Sequence, residues 1–330
     1  MPDRSRTPPA GREVSARSWS SEAAAGGVPA SSLDLDAISV DVGAGADWVS
    51  QAASIFSEQR VVVLRGLLSE AVTDAVLGSL RDLHSRWGLL HDPEGLGNRC
   101  PGRYDMGSAY SSQHLTQLPG YLEALEEFSQ RGGLRLLELL GGYAFVGGQG
   151  TLCRARTDNW QPMHSDCYKP WHEELREEPE HVPCLDLMFT VHPLTGENGA
   201  MRILPGQPSV DKVYRQQEHP PPKLDGEPWP SRRSQLFPLP AGCGILRDIR
   251  VWHGGVPNST GEDRHLAVLQ FYSRRVLRLC PLWKERGRGV SESAVRSKLS
   301  PGTQQVVAAE IVLREGDEEP RLMAERACWP

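Results

Sequence analysis

The sequence predicts a mainly β protein with flanking helices, and three observations carry that prediction. Before Tyr143 the apolar residues recur at helical spacing; after it they fall into short β-branched and aromatic runs broken by Gly and Pro. Several such runs at close spacing suit a β sandwich or barrel core. Hydrophobic content of 39% against 24% charged residues is ordinary for a chain with a buried core, and no apolar run approaches a membrane span.

Residues 1–32 carry few bulky apolar side chains, too few to offset the cost of ordering, and are expected to form a disordered tail. An organelle transit segment is the alternative for this stretch, but Asp3, Glu13 and Glu22 count against it, so a cytoplasmic location is expected. Residues 33–330 are expected to form a single domain: a helical part over 33–142, a β core over 143–280 and an extension over 281–330. Asp47 is placed to cap a helix carrying Trp48, Val49, Ala52, Ile55 and Phe56. Val61 to Leu64 reads as a buried strand stopped by Gly66. A second helix opens at Ser69-Glu70, with Val72, Ala75, Val76, Leu80 and Leu83 on one face. His91 to Ser112 reads as a loop, and helices follow at Tyr121 to Gln130 and Leu134 to Leu140, where Gly141-Gly142 ends the run.

In the β half the expected strands are Tyr143 to Cys153, Cys184 to His192, Ala200 to Leu204, Gly244 to Asp248 and His265 to Val276. The proline-dense stretch 207–237 reads as a long surface loop or lid. Helical segments are expected at Ser291 to Leu299 and Gln304 to Leu313. Gly147-Gly148-Gln149-Gly150 lacks the Lys-Ser/Thr of a phosphate loop, so tight packing or a bulge is expected there.

Charge and cysteine usage exclude several classes. The formal net charge is −6 and basic residues are interspersed with acids, which gives no nucleic-acid footprint. The seven cysteines are scattered with no Cys-x-x-Cys pair, which argues against a disulfide framework or thiolate zinc site. His172-Glu173-Glu174 resembles the start of a zinc-protease helix, but Arg176 stands where that motif needs its second histidine.

The chemistry gathers around His164-Ser165-Asp166. In an extended segment residues i and i+2 share a face, so an imidazole and a carboxylate can reach one metal ion from one short piece of chain. The best candidate for a second imidazole is His253, in Val251-Trp252-His253-Gly254-Gly255. Two histidines and one carboxylate make a facial triad that leaves half the coordination sphere open and suits non-haem Fe(II). Arg264 follows His253 by eleven residues, at the edge of the apolar run 266–269, and offers a planar fork for a carboxylate.

With these residues placed, the chain resembles the phytanoyl-CoA dioxygenase family of Fe(II)/2-oxoglutarate-dependent oxygenases. The resemblance runs from about Ile55 to Tyr272 and rests on His164-Ser165-Asp166, on Asn198-Gly199-Ala200-Met201-Arg202-Ile203-Leu204-Pro205-Gly206, and on Gly242 through His253 to Arg264. It implies a double-stranded β-helix, a jelly roll of the cupin type, as the core. It implies His164, Asp166 and His253 as iron ligands and Arg264 as partner of the distal carboxylate of 2-oxoglutarate, with O2 as the other cosubstrate. Local similarity to the ectoine hydroxylase branch puts Gln149 and Trp171 where substrate is held. Arg103, in the loop Cys100 to Asp105, is either a loop arginine in a surface ion pair or a further substrate-binding candidate at the pocket mouth, for a carboxylate or phosphate. Gly255 departs from the family by standing where a hydroxyl side chain often helps bind 2-oxoglutarate.

The expected reaction is hydroxylation of an aliphatic C–H of a small organic molecule (natural-product, amino-acid-like or acyl), with release of succinate and CO2. Asp166 favours hydroxylation over halogenation, because halogenating relatives carry a small residue at that place. The alternatives are a non-catalytic jelly-roll binding protein, a cupin-type enzyme without 2-oxoglutarate, or the same oxygenase chemistry giving desaturation, ring closure or epimerisation.

Overall fold

In a computed structural model, the described residues are 33–91 (except 44 and 46), 101–106, 112–166 (except 162), 180–206, 236–279 and 290–313. The expected N-terminal tail and almost all of the 207–237 loop lie outside them. The framework is a seven-stranded sheet in the order β1-β2-β7-β5-β9-β4-β3. Its strands are β1 (Ser39–Asp41), β2 (Val61–Arg65), β3 (Arg103–Asp105), β4 (Tyr143–Cys153), β5 (Cys184–Thr190), β7 (Gly244–Asp248) and β9 (Arg264–Ser273). All neighbours are antiparallel except β1 and β2.

A second layer faces it. β6 (Met201–Ile203) pairs with β8 (His253–Gly255), so that Ile203 lies opposite His253. An isolated bridge adds the segment at His164 to the other edge of β8. Beyond β6, Leu236 donates its N–H to the Met201 carbonyl at 2.8 Å. Two β layers enclosing one interior are the jelly roll expected of the chain.

The strands read as continuous apolar runs because they are buried on both faces. In β2, Val62 and Leu64 join one apolar cluster, while Val61 and Val63 join another. The first cluster packs the helices against the outside of the sheet through Trp48, Phe56, Leu80, Leu125 and Phe128. The second fills the space between the layers with Met188, Met201, Ile245, Leu266 and Val268.

The helices are α1 (Trp48–Gln59), α2 (Glu70–His91), α3 (Ser112–Gln117), α4 (Tyr121–Phe128), α5 (Leu134–Leu139), α6 (Arg274–Leu279), α7 (Glu292–Lys298) and α8 (Pro301–Gln304). α1 turns its apolar stripe inward as expected, yet Asp47 makes no side-chain cap. Between α4 and α5 a wide π turn runs over Ser129–Gly133. Gly133 lets Phe128 lie against its backbone, since a Cβ there would stand 2.5 Å from the ring.

Four expectations need correction. The mostly helical part 33–142 contributes, beside the expected β2, the strands β1 and β3 to the main sheet. β3 lies in the stretch read as loop, taking its register from β4. The last expected strand stops at Ser273, and the chain continues as α6. Residues 304–313 are not one helix: α8 ends at Gln304, a 3-10 turn follows over Ala309–Ile311, and Val312–Leu313 form β11, paired with β10 (Val290–Ser291). The glycine run Gly147 to Gly150 behaves as read, with a register shift between Phe145 and Gly147. A Cβ on Gly148 would meet Tyr121 at 2.5 Å.

Candidate active site

One pocket opens between the two β layers, lined on one side by His164, Asp166 and His253 and on the other by Arg264, Leu266 and Val268. The backbone assembles its metal-binding side. His164 and His253 exchange both N–H···O bonds at 2.9 Å across their bridge, which sets the two rings side by side, tilted at 47° with centroids 4.2 Å apart. Two residues on, Asp166 donates its N–H to the Ile249 carbonyl at 3.2 Å. Ile249 belongs to the turn between β7 and β8, and that turn is pinned by a buried ion pair. Arg250 donates to Asp248 through Nη2 at 2.7 Å, and its own N–H reaches Asp248 Oδ1 at 2.9 Å. Short backbone contacts thus bring His253 beside His164 and Asp166, which lie far from it in the chain.

Their donor atoms converge. One atom from each of His164, Asp166 and His253 lies within 4.8 Å of the other two. Asp166 Oδ2 is 3.1 Å from His253 Nε2, and Oδ1 is 3.5 Å from His164 Nε2. His253 Nδ1 lies 3.0 Å from the Val251 carbonyl. Donation from Nδ1–H to that carbonyl leaves Nε2 as the lone-pair nitrogen facing the site. Burial, with help from Arg247, pushes the His253 pKa down to about 4, so the ring is neutral at neutral pH. Burial alone would raise Asp166, but His253, Arg247 and His164 outweigh it and hold the carboxylate well below its usual range. Two imidazoles and one carboxylate, open on the pocket side, fit a divalent iron.

The main sheet supports this trio from behind with residues the sequence reading missed. Arg247 on β7 donates through Nη2 to Asp166 Oδ2 at 2.7 Å and to Asp186 Oδ2 at 2.6 Å. Asp186 on β5 points inward and is buried. Its other oxygen accepts from Gln270 at 3.1 Å. Gln270 Oε1 in turn accepts from Gln149 Nε2 at 3.0 Å and Tyr272 at 2.9 Å. The available signal was a charge inside each apolar strand, Leu185-Asp186-Leu187 and Leu246-Arg247, since buried charges need partners.

At the far end of the pocket Arg264 is buried, with Nε donating to the Gly199 carbonyl at 2.9 Å and Nη1 to the Thr151 hydroxyl at 3.2 Å. Both acceptors are neutral, and no carboxylate among the described residues pairs with it. Burial pushes its pKa down to about 10, still charged at neutral pH. The other expected residues fare differently. Gln149 lines the pocket and is tethered to Gln270. Arg103 is not at the mouth but inside, about 4% exposed on β3. Trp171 lies outside the described residues.

Residues 154–266 match the family model described as phytanoyl-CoA dioxygenase, a segment that runs from just before His164 to just past Arg264. The match spans about a third of the chain. Among solved structures, the chain is similar to AviO1 from Streptomyces viridochromogenes Tue57, at 18% identity over 68% of this chain and 95% of that one, with a TM-score of 0.47. It is also similar to the α-ketoglutarate-dependent epimerase SnoN from nogalamycin biosynthesis (16% identity, 68% and 82% covered, TM-score 0.44). EvdO2 from Micromonospora carbonacea var. aurantiaca, complexed with 2-oxoglutarate, gives 20% identity, 67% and 89% covered, and a TM-score of 0.42. Among the described residues no helix is long and apolar enough to cross a membrane.

Proposed function

We propose that this protein is an Fe(II)/2-oxoglutarate-dependent oxygenase, of the kind its match to the phytanoyl-CoA dioxygenase model suggests, and that it hydroxylates an aliphatic C–H of a small organic molecule. His164, Asp166 and His253 would hold the iron, and Arg264 would pair with the distal carboxylate of 2-oxoglutarate. The observation that carries the reading is the polarity of one pocket: three candidate metal donors within 4.8 Å of one another at one end, and at the other a buried arginine with no acid partner among the described residues. An elongated dianion that chelates at its keto-acid end and carries a second carboxylate suits both ends. Iron held by His164, Asp166 and His253 would supply, with 2-oxoglutarate and O2 as cosubstrates, the oxidising power for the reaction, with succinate and CO2 as by-products.

The chain's own residues bind, orient and exclude water. Arg247 fixes Asp166 through Oδ2. Met188, Leu266 and Val268 line the pocket with apolar surface that keeps the reacting C–H away from water. Gln149, held by Gln270, offers a carboxamide to a polar group of the substrate. The carboxylate of Asp166 occupies the ligand place that halogenation would need free, which supports hydroxylation. We take residues 33–330 as one catalytic domain.

Succinate release, screened across amino-acid-like, acyl and natural-product substrates with mass analysis of the product, tests this reading. A gain of one oxygen atom, derived from 18O2, supports hydroxylation. A loss of two hydrogens or an unchanged mass would replace it with desaturation, ring closure or epimerisation.

A further inference from the structure

The strand register sets two arginines side by side. Cys153 on β4 pairs with Arg103 of β3 on one side and with Arg264 of β9 on the other. Residues directly abreast on neighbouring strands project from the same face of a sheet. Both guanidinium groups therefore leave the main sheet on its inner face and enter the same pocket. Each residue is about 4% exposed. Arg103 donates through Nη2 to the carbonyls of Val256 and Asn159, and through Nε to Asn159 Oδ1 at 3.4 Å. These acceptors are neutral, like those of Arg264, and no carboxylate among the described residues pairs with either arginine. Two buried like charges this close repel each other, and an anion between them would offset both.

Gly255 gives the second observation. A Cβ there would stand 2.2 Å from Arg103 Nη1 and 2.9 Å from its Cζ. Gly255 is not among the glycines with positive φ, so its backbone alone does not demand glycine. The demand is for space, and the Arg103 guanidinium fills it. Gly255 lies two residues beyond His253 on β8, on the same face. That offset is about 7 Å along a strand, on the order of the length of a five-carbon dicarboxylate.

We propose that Arg103 is a second carboxylate-binding arginine for the cosubstrate, closing with Arg264 on the distal carboxylate of 2-oxoglutarate over the bare backbone of Gly255. The proposal rests on the reading of the pocket given above and goes one residue beyond it.

The test compares 2-oxoglutarate with oxalate, which chelates metal but has no distal carboxylate. Dissociation constants would be measured calorimetrically on Mn(II)-loaded, full-length protein, so that turnover plays no part. Arg103→Gln is expected to weaken 2-oxoglutarate at least 10-fold and to change oxalate less than 2-fold. Gly255→Ala, which displaces the guanidinium, is expected to weaken 2-oxoglutarate similarly, and the double variant to be no worse than either single one. Gly255→Ala carries the test alone if Arg103→Gln does not fold.

An unchanged 2-oxoglutarate constant in the folded variants would overturn the proposal. So would an equal loss for oxalate, which would mean a distorted metal site. If only the organic substrate bound more weakly, the arginine would belong to a substrate anion instead, again overturning it. Wild-type protein that binds oxalate but not 2-oxoglutarate would sink the underlying reading, a result distinct from failure of the Arg103 variants.

Discussion

Arg247 donates to Asp166 Oδ2 at 2.7 Å from a strand that Asp166 does not belong to. The same nitrogen holds Asp186 at 2.6 Å, so one buried guanidinium ties a metal-site carboxylate to the main sheet. Carboxylates that ligate metals are commonly held by such partners, and loss of the partner typically costs 10- to 100-fold in affinity.

Arg247→Gln should therefore do two separable things. Asp186 would be left buried without its cation, costing about 3–5 kcal/mol of stability, readable in urea denaturation. Metal affinity should fall roughly 10- to 100-fold. Adding Asp186→Asn should recover part of the stability and little of the metal affinity. Recovery of both together would mean that Arg247 acts only through folding.

Asp166→Ala and His253→Ala each remove one of three donors. Both variants should stay folded by circular dichroism, because the His164–His253 bridge is made by backbone atoms. Both should lose iron-dependent turnover. A variant that kept wild-type turnover would show that the donor set is wrongly assigned.

Arg264→Ala removes the fork expected to meet the distal carboxylate. Loss of a buried charge-assisted pair is worth about 2–4 kcal/mol, so the 2-oxoglutarate concentration needed should rise about 30- to 1,000-fold. A cupin-type enzyme without this cosubstrate would show no such rise.

His265 gives a pH prediction away from the metal donors. It is about 2% exposed, and neither ring nitrogen has a hydrogen-bond partner among the described residues. Burial, reinforced by His192 and His84, pushes its pKa down to about 3. The unfolded chain, with a pKa near 6.5, then binds more protons between those values. Stability from this group is complete above about pH 6.5 and falls as pH drops toward 3, by at most about 1.4 kcal/mol per unit. His265→Phe should flatten that slope, recovering about 2 kcal/mol relative to wild type at pH 5. An unchanged slope would place the acid sensitivity elsewhere, with His253 the next group to test.

How far the site could be read from sequence depended on the range of the contacts. His164 and Asp166 were legible together because two residues of extended chain set their geometry. The continuous apolar run of β2 was legible too, because burial on both faces leaves its mark within the strand itself. The chain from Gln149 through Gln270, Asp186 and Arg247 to Asp166 was not. Gln149 and Gln270 are 121 positions apart, and only the strand order brings them together. β3 was hidden because three residues flanked by Gly and Pro form a strand only when β4 supplies their partner. The end of β9 was misread for a local reason: the apolar residues around Val276 suit strand and helix equally, and periodicity over so few residues cannot separate them. Gly255 was visible as a departure, but the side chain that fills its space comes from 152 positions earlier in the chain.

The most direct test of the central claim is an anaerobic visible titration of Fe(II) and 2-oxoglutarate into the purified apoprotein. The account predicts a weak charge-transfer band that needs both additions and is lost in Asp166→Ala. No band, with neither component binding, would contradict it and leave the jelly roll as a binding module.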